Sequence, residues 1–142
     1  MLYFADREHL SRYGSLLSGD SYVAMRHGPM PSAIYNLLKA AGGPQEPLIP
    51  PQFYELVGQA LRVDGKHRVG PLRQANPALL SKSRRESLNA SIKTNGRLSF
   101  ERLTVKSRDA AWKSVDENDL IDVKAIAKTL PNAKEVLAYL EE

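Results

Sequence analysis

Short apolar stripes alternate with turn-forming clusters along this chain, and the spacing within each stripe names the element it builds. From residue 2 to residue 13 the spacing is helical. Leu2, Ala5, His9 and Tyr13 share one face, Tyr3 and Leu10 widen it, and Gly14 is a natural stop. Residues 17–21, "LSGDS", have turn chemistry. Residues 22–26 alternate instead, with Tyr22, Ala24 and Arg26 facing one way and Val23 and Met25 the other, the period of a strand. Gly28-Pro29 breaks that strand. Pro31-Ser32 then opens a helix with the stripe Ile34, Leu37, Leu38 and Ala41, Ser32 as its cap and Gly42-Gly43 as its end. An irregular connector follows over 42–51. Pro50-Pro51 begins another helix, whose stripe of Phe53, Leu56, Val57, Ala60 and Leu61 is expected to be buried. Residues 61–70 read as a β-hairpin turning at Asp64-Gly65.

The second half reads as helical throughout. Ser83 with Glu86 forms a capping box, with Ser81 as a rival cap, and that helix runs to about Thr94 before Asn95-Gly96 ends it. Ser99 starts a short helix through Leu103, and Ser107 starts another that carries Trp112. Residues 119–130 are amphipathic through Leu120, Val123, Ile126 and Leu130. Pro131 opens a last helix with Val136, Leu137 and Leu140 inward. The expected fold is α+β and predominantly helical, a compact multi-helix domain with a small β-sheet or hairpin.

Composition narrows the class. At 142 residues, 42% of them hydrophobic, the chain fits one domain over 1–142 and is cramped for two. It has no cysteine, which excludes disulfides, thiolate nucleophiles and Cys-ligated metals and suits a reducing cytoplasm. No apolar run approaches the roughly 18 residues that span a bilayer. The start "MLYFADREHL" has acids and no basic run, unlike a secretion signal. A cytoplasmic protein with no membrane partner is expected.

Charge is uneven. Residues 73–113 hold ten Lys/Arg against three Asp/Glu, whereas residues 114–142 hold three against seven. The basic block is either a solvated helix face set against the acidic tail or a nucleic-acid surface. The second reading needs a helix-turn-helix within 87–113, with Arg108 and Lys113 reaching base edges beside an inward Ala111 and Trp112. Arg84-Arg85 sits where a helix begins, against the sign of the helix dipole, which marks the pair as a candidate partner contact.

Catalytic patterns are missing. There is no P-loop, no Gly-x-Gly-x-x-Gly and no Gly-x-Ser-x-Gly. No two of His9, His27 and His67 have a metal-ligand spacing. His9, on an apolar helix face near Asp6, reads as a hydrogen-bonded core residue, and His67 as a turn residue. Asp6/Glu8 and Asp116/Glu117 are too close in sequence to oppose one another. No catalytic residue, no metal and no cofactor is expected, so the protein is not read as an enzyme.

Residues 2–39, "LYFADREHLSRYGSLLSGDSYVAMRHGPMPSAIYNLLK", resemble the N-terminal signature of the Panacea domain, the SocA-like antitoxin family, which also occurs among phage-associated proteins. The likeness rests on Leu-Tyr-Phe-Ala-Asp ending at Asp6, on Gly19-Asp20-x-Tyr22, and on Gly28-Pro29-x-Pro31-Ser32. Residues 80–112, "LSKSRRESLNASIKTNGRLSFERLTVKSRDAAW", follow the family's looser second pattern, which closes on Trp112. The resemblance implies a bacterial antitoxin of a two-gene toxin–antitoxin system that neutralises a toxin encoded nearby by direct protein–protein contact. At least one member is an adaptor that delivers its toxin to an AAA+ protease, so a proteolytic adaptor is a further implication. No catalytic residues come with the family.

This sequence also departs from the family pattern. Members usually carry an earlier helix, which this chain is expected to lack. That would leave an apolar face at Leu2, Tyr3 and Phe4 and favour a homo-oligomer through the N-terminal helix. The loop before Trp112 lacks a histidine often found there. Gly28, Pro29, Pro31 and Ser32 read as scaffold that turns the chain and caps the next helix. Arg26-His27 is either a partner-facing rim or a salt-bridged strand end. Arg26, His27, Arg84 and Arg85 are the partner-binding candidates for the antitoxin. A DNA-binding regulator using residues 73–113 is the alternative.

Overall fold

The computed structural model describes residues 1–43 and 49–142. Its elements are α1 (Leu2–Tyr13), β1 (Tyr22–Met25), β2 (Gly28–Pro31), α2 (Ser32–Gly42), α3 (Pro51–Ala60), β3 (Leu61–Val63), β4 (Val69–Pro71), a 3-10 turn (Pro77–Leu79), α4 (Lys82–Asn95), α5 (Phe100–Ser107), α6 (Ala110–Lys113), β5 (Leu120–Ile121), α7 (Val123–Ala127) and α8 (Ala133–Glu141). The fold is α+β and predominantly helical. Half of the connector expected over 42–51, residues 44–48, lies outside the described residues. The chain forms two compact units, one from residues 1–31 with 78–142 and one from residues 32–77.

In the first unit α1 packs against α4, β2, α7 and α8. Contact from several sides explains why its buried residues, Tyr3, Phe4, Ala5, Asp6, His9 and Leu10, exceed a single helical stripe. Tyr13, expected inward, is 42% exposed. The expected apolar face at Leu2, Tyr3 and Phe4 is not there, because Tyr3 and Phe4 are buried in the core with Leu10, Tyr22, Ile126 and Val136. Leu2 is half-buried.

An antiparallel sheet of order β2-β1-β5 closes this unit, with Tyr22 opposite both Pro31 and Ile121. Residues 28–31 were expected to be a break and are instead an edge strand. The register sets Pro29 opposite Ala24 and Pro31 opposite Tyr22. Alternate residues share one side of a ladder, so both missing N–H groups fall together, which only an edge strand tolerates. Gly28 is buried at φ 124, and a β-carbon there would collide with the Ser107 hydroxyl. Gly28→Ala is therefore expected to cost about 2 kcal/mol in urea unfolding, from backbone strain plus the clash. An unchanged midpoint would show that the β1–β2 turn relaxes freely.

Several helix boundaries differ from expectation because a nearer cap prevails. Ser81, not Ser83, caps α4, accepting from the Arg84 N–H at 3.4 Å. Glu86 completes no capping box and instead meets Lys82 at 3.9 Å and the Tyr13 hydroxyl at 3.5 Å. Ser107 ends α5 rather than starting a helix, and Asp109 caps the single turn of α6. Residues 119–130 divide into β5 and α7, the latter capped by Asp122, which accepts from the Lys124 N–H at 2.8 Å. The last helix begins at Ala133, after Pro131.

The second unit holds α2, α3 and the β3–β4 hairpin. Only Ala40 and Val57 are buried among its described residues. The α3 stripe expected in a core is not sequestered, with Phe53 43% and Leu56 56% exposed. A β-carbon on Gly42 would lie 2.8 Å from the Val63 side chain, so the end of α2 and the hairpin meet at a glycine. The hairpin loop spans 64–68. Asp64 Oδ1 accepts from the Lys66 and Arg68 N–H groups at 2.8 and 2.9 Å, and His67, not Gly65, takes the left-handed conformation at φ 60.

Candidate functional site

The signature residues meet through buried hydrogen bonds. Asp6 faces inward from α1 with no exposed surface. It accepts from the Ser18 N–H at 2.8 Å, the Ser18 hydroxyl at 2.6 Å and the Tyr22 hydroxyl at 2.6 Å. Gly19 follows at φ 65, and Asp20 accepts from the Ser21 N–H at 2.7 Å. The Tyr22 ring meets Tyr3 edge-on, with centroids 5.1 Å apart. Tyr3 donates its hydroxyl to Asp109 Oδ2 at 2.8 Å. The other oxygen of Asp109 caps α6 through the Ala111 and Trp112 N–H groups at 3.0 and 3.1 Å. Trp112 Nε1 donates to the Met25 carbonyl at 2.8 Å, at the end of β1. The two halves of the N-terminal signature thus bond to each other, and the second pattern locks onto the first through Asp109 and Trp112. Nothing in the sequence reading singled out Asp109, although an Asp just before Ala-Ala-Trp is a cap signal.

Electrostatics give this network a structural character. Burial raises the Tyr22 hydroxyl well above the ordinary tyrosine range, and the charge of Asp6 raises it further. Burial likewise raises Tyr3, aided by its bond to Asp109. Both stay protonated donors, fixed to carboxylates, and neither is placed to shuttle protons.

The exposed candidates fall in two places. Arg26 and His27 stand at the β1–β2 turn, and the His27 ring packs edge-on against Phe100 at 5.4 Å. The Arg26 carbonyl accepts from Arg108 Nη2, and the Arg26 guanidinium has no ion pair among the described residues. Arg84 and Arg85 lie exposed in the first turn of α4. Beside Arg26 is a cavity of about 450 Å³ lined by Ala24, Arg26, Arg108, Trp112, Lys113, Val115 and Glu117. Arg84 and Arg85 do not line it. Arg108 lies over the Trp112 ring at 5.3 Å, and its Nε is buried with no partner among the described residues. Arg108 and Lys113, weighed above as DNA contacts, therefore gather with Arg26. α6 has four residues and supplies no recognition helix of the expected kind. Lys106 turns inward to Asn95 Oδ1 and over the Phe4 ring.

No histidine is among the residues lining this cavity. His9 is 5% exposed, with Nδ1 2.7 Å from the Ser15 carbonyl and Nε2 3.2 Å from the Ser83 hydroxyl. His67 is exposed in the hairpin loop. Among the described residues no cluster of three or more His, Asp or Glu has the geometry to hold a metal. Among them, too, no helix is long and apolar enough to cross a membrane.

Comparison with known proteins gives one match. The family model described as "Antitoxin SocA-like, Panacea domain" covers residues 1–113, and so the whole network from Tyr3 to Trp112. Neither the curated proteins nor the solved structures give a match.

Proposed function

The chain belongs to the SocA-like antitoxin family with a Panacea domain, and from that membership we propose that it is the antitoxin of a toxin–antitoxin pair, binding a protein toxin directly. The match over residues 1–113 carries this reading. The signature residues are consumed by the fold, so toxin contact falls to exposed side chains: Arg26 and His27 at the β1–β2 turn, and Arg84 and Arg85 at the start of α4. The proposed mechanism is occlusion of the toxin's active surface in the cytoplasm. Delivery of the bound toxin to an AAA+ protease is the finer form of the same reading. Self-association through α1 loses its motive, because Tyr3 and Phe4 are buried.

Each gene flanking this one should be expressed alone and together with this chain. One neighbour is expected to arrest growth alone and to be neutralised on co-expression, with a complex recovered from the rescued cells. Absence of both rescue and complex for every neighbour would sink the proposal. Repeating the rescue in cells lacking each AAA+ protease separates the two forms. Undiminished rescue means occlusion, and lost rescue with a long-lived toxin means delivery.

A further inference from the structure

The cavity beside Arg26 holds more positive charge than the fold uses. Arg26, Arg108 and Lys113 line it, and none forms an ion pair among the described residues. Glu117 is the one acid in the lining. Arg108 is held in place, bonded to the Arg26 carbonyl and lying over Trp112. Arg108 is only half-buried, and a guanidinium beside two further cations is matched by a carboxylate, which it can pair through two parallel N–H groups. The remaining wall, Ala24, Trp112 and Val115, is apolar. We propose that this pocket receives an Asp or Glu side chain, adjoined by an aliphatic residue, from the surface of the protein partner. The carboxylate lies between Arg108 and Arg26 or Lys113, and the aliphatic group lies against Trp112 and Val115. This rests on the antitoxin reading for the occupant being a protein.

A phosphate backbone fits less well. Glu117 in the lining is a single like charge set against three cations, but Asp116 and Asp119 lie exposed in the same loop, so a run of phosphates would meet more like charge than a single carboxylate does. Arg108 already covers one face of the Trp112 ring, which leaves its edge and other face to a small aliphatic group more readily than to a stacked base.

Trp112 is the only tryptophan, so its indole N–H resonance reports on this pocket directly. The intact chain would be titrated with the blocked peptide Ac-Gly-Leu-Glu-Gly-amide, its Leu-Gln counterpart and single-stranded oligothymidylate. The Glu peptide is expected to shift the Trp112 resonance saturably, and the Gln peptide to bind about tenfold more weakly for want of the charge-assisted bond. Arg26→Gln and Lys113→Gln should each weaken the Glu peptide several-fold while leaving the folded spectrum intact, since both side chains are exposed. Equal binding of the Glu and Gln peptides, or no saturable shift with either, overturns the proposal. A stronger response to oligothymidylate also overturns it and assigns the pocket to nucleic acid. No toxin enters this assay, so its failure is distinct from failure of the rescue experiment.

Discussion

Replacing Asp6 by alanine is expected to destabilise the first unit by about 4 kcal/mol, the largest single-residue effect we anticipate outside the apolar core. The reason lies in how many groups depend on one carboxylate. Asp6 is fully buried and accepts from three donors on two other segments, the Ser18 N–H, the Ser18 hydroxyl and the Tyr22 hydroxyl. Its removal leaves a void and strands those donors, and an unmade buried bond costs more than a made one contributes. Tyr22→Phe removes one donor and keeps the acceptor satisfied by Ser18, so about 1–2 kcal/mol is expected. Asp6→Asn should fall between them. If its oxygen faces Ser18 Oγ and Tyr22, its amide N–H₂ must face the Ser18 N–H, donor against donor. Urea unfolding at neutral pH measures all three. The sharper test is the double mutant: with Asp6 gone, Tyr22→Phe should cost much less than it does alone. Additive losses would show that Asp6 acts through packing and not through this network.

How far the fold could be read from sequence depended on element length. α1 carries enough turns for a 3.6 period to show, whereas α4, whose buried residues are Ser87, Ser91 and Asn95, was legible only through its end signals; Gly14 and Asn95-Gly96 closed the two helices where expected. β1 alternates over four residues and was legible. β5 has two residues, too few for any period, and β2 carries two prolines, which read as a break until the edge position is known. A stripe also names a face without naming what covers it, which is why Phe53 and Leu56 lie more open than their spacing implied. The candidate site was half visible. Arg26 stood out at the end of a strand, and Arg108 and Lys113 stood out as cations in a basic block. Their convergence around Trp112 depends on a local cap, Asp109 starting α6, and on the indole reaching the Met25 carbonyl, a bond across 87 positions that a one-dimensional pattern does not encode.

The same network makes stability depend on pH at the alkaline end. The hydroxyls of Tyr3 and Tyr22 are raised above the ordinary value by burial first, and then by bonding to Asp109 and by the charge of Asp6 respectively. A group whose folded value is raised contributes stability that is fully present below its unfolded value, about 10 for tyrosine, and is lost as pH climbs above it. The unfolded chain releases both protons there while the native chain retains them. Each tyrosine should therefore remove about 1.4 kcal/mol per pH unit above about pH 10, and the pair nearly twice that. Urea midpoints should show little contribution from the pair below about pH 9.5 and a steep one by about pH 11. Tyr3→Phe keeps the ring in the core but removes its proton, so it should lower stability at neutral pH and reduce the alkaline slope. Tyr3→Phe with Tyr22→Phe should remove this contribution altogether. The native tyrosinate band offers an independent reading, because Tyr3 and Tyr22 should not ionise until the chain unfolds. An alkaline slope unchanged in the double variant would mean that neither hydroxyl is held in its neutral form by the fold, and the closed network from Asp6 to Asp109 would then need another explanation.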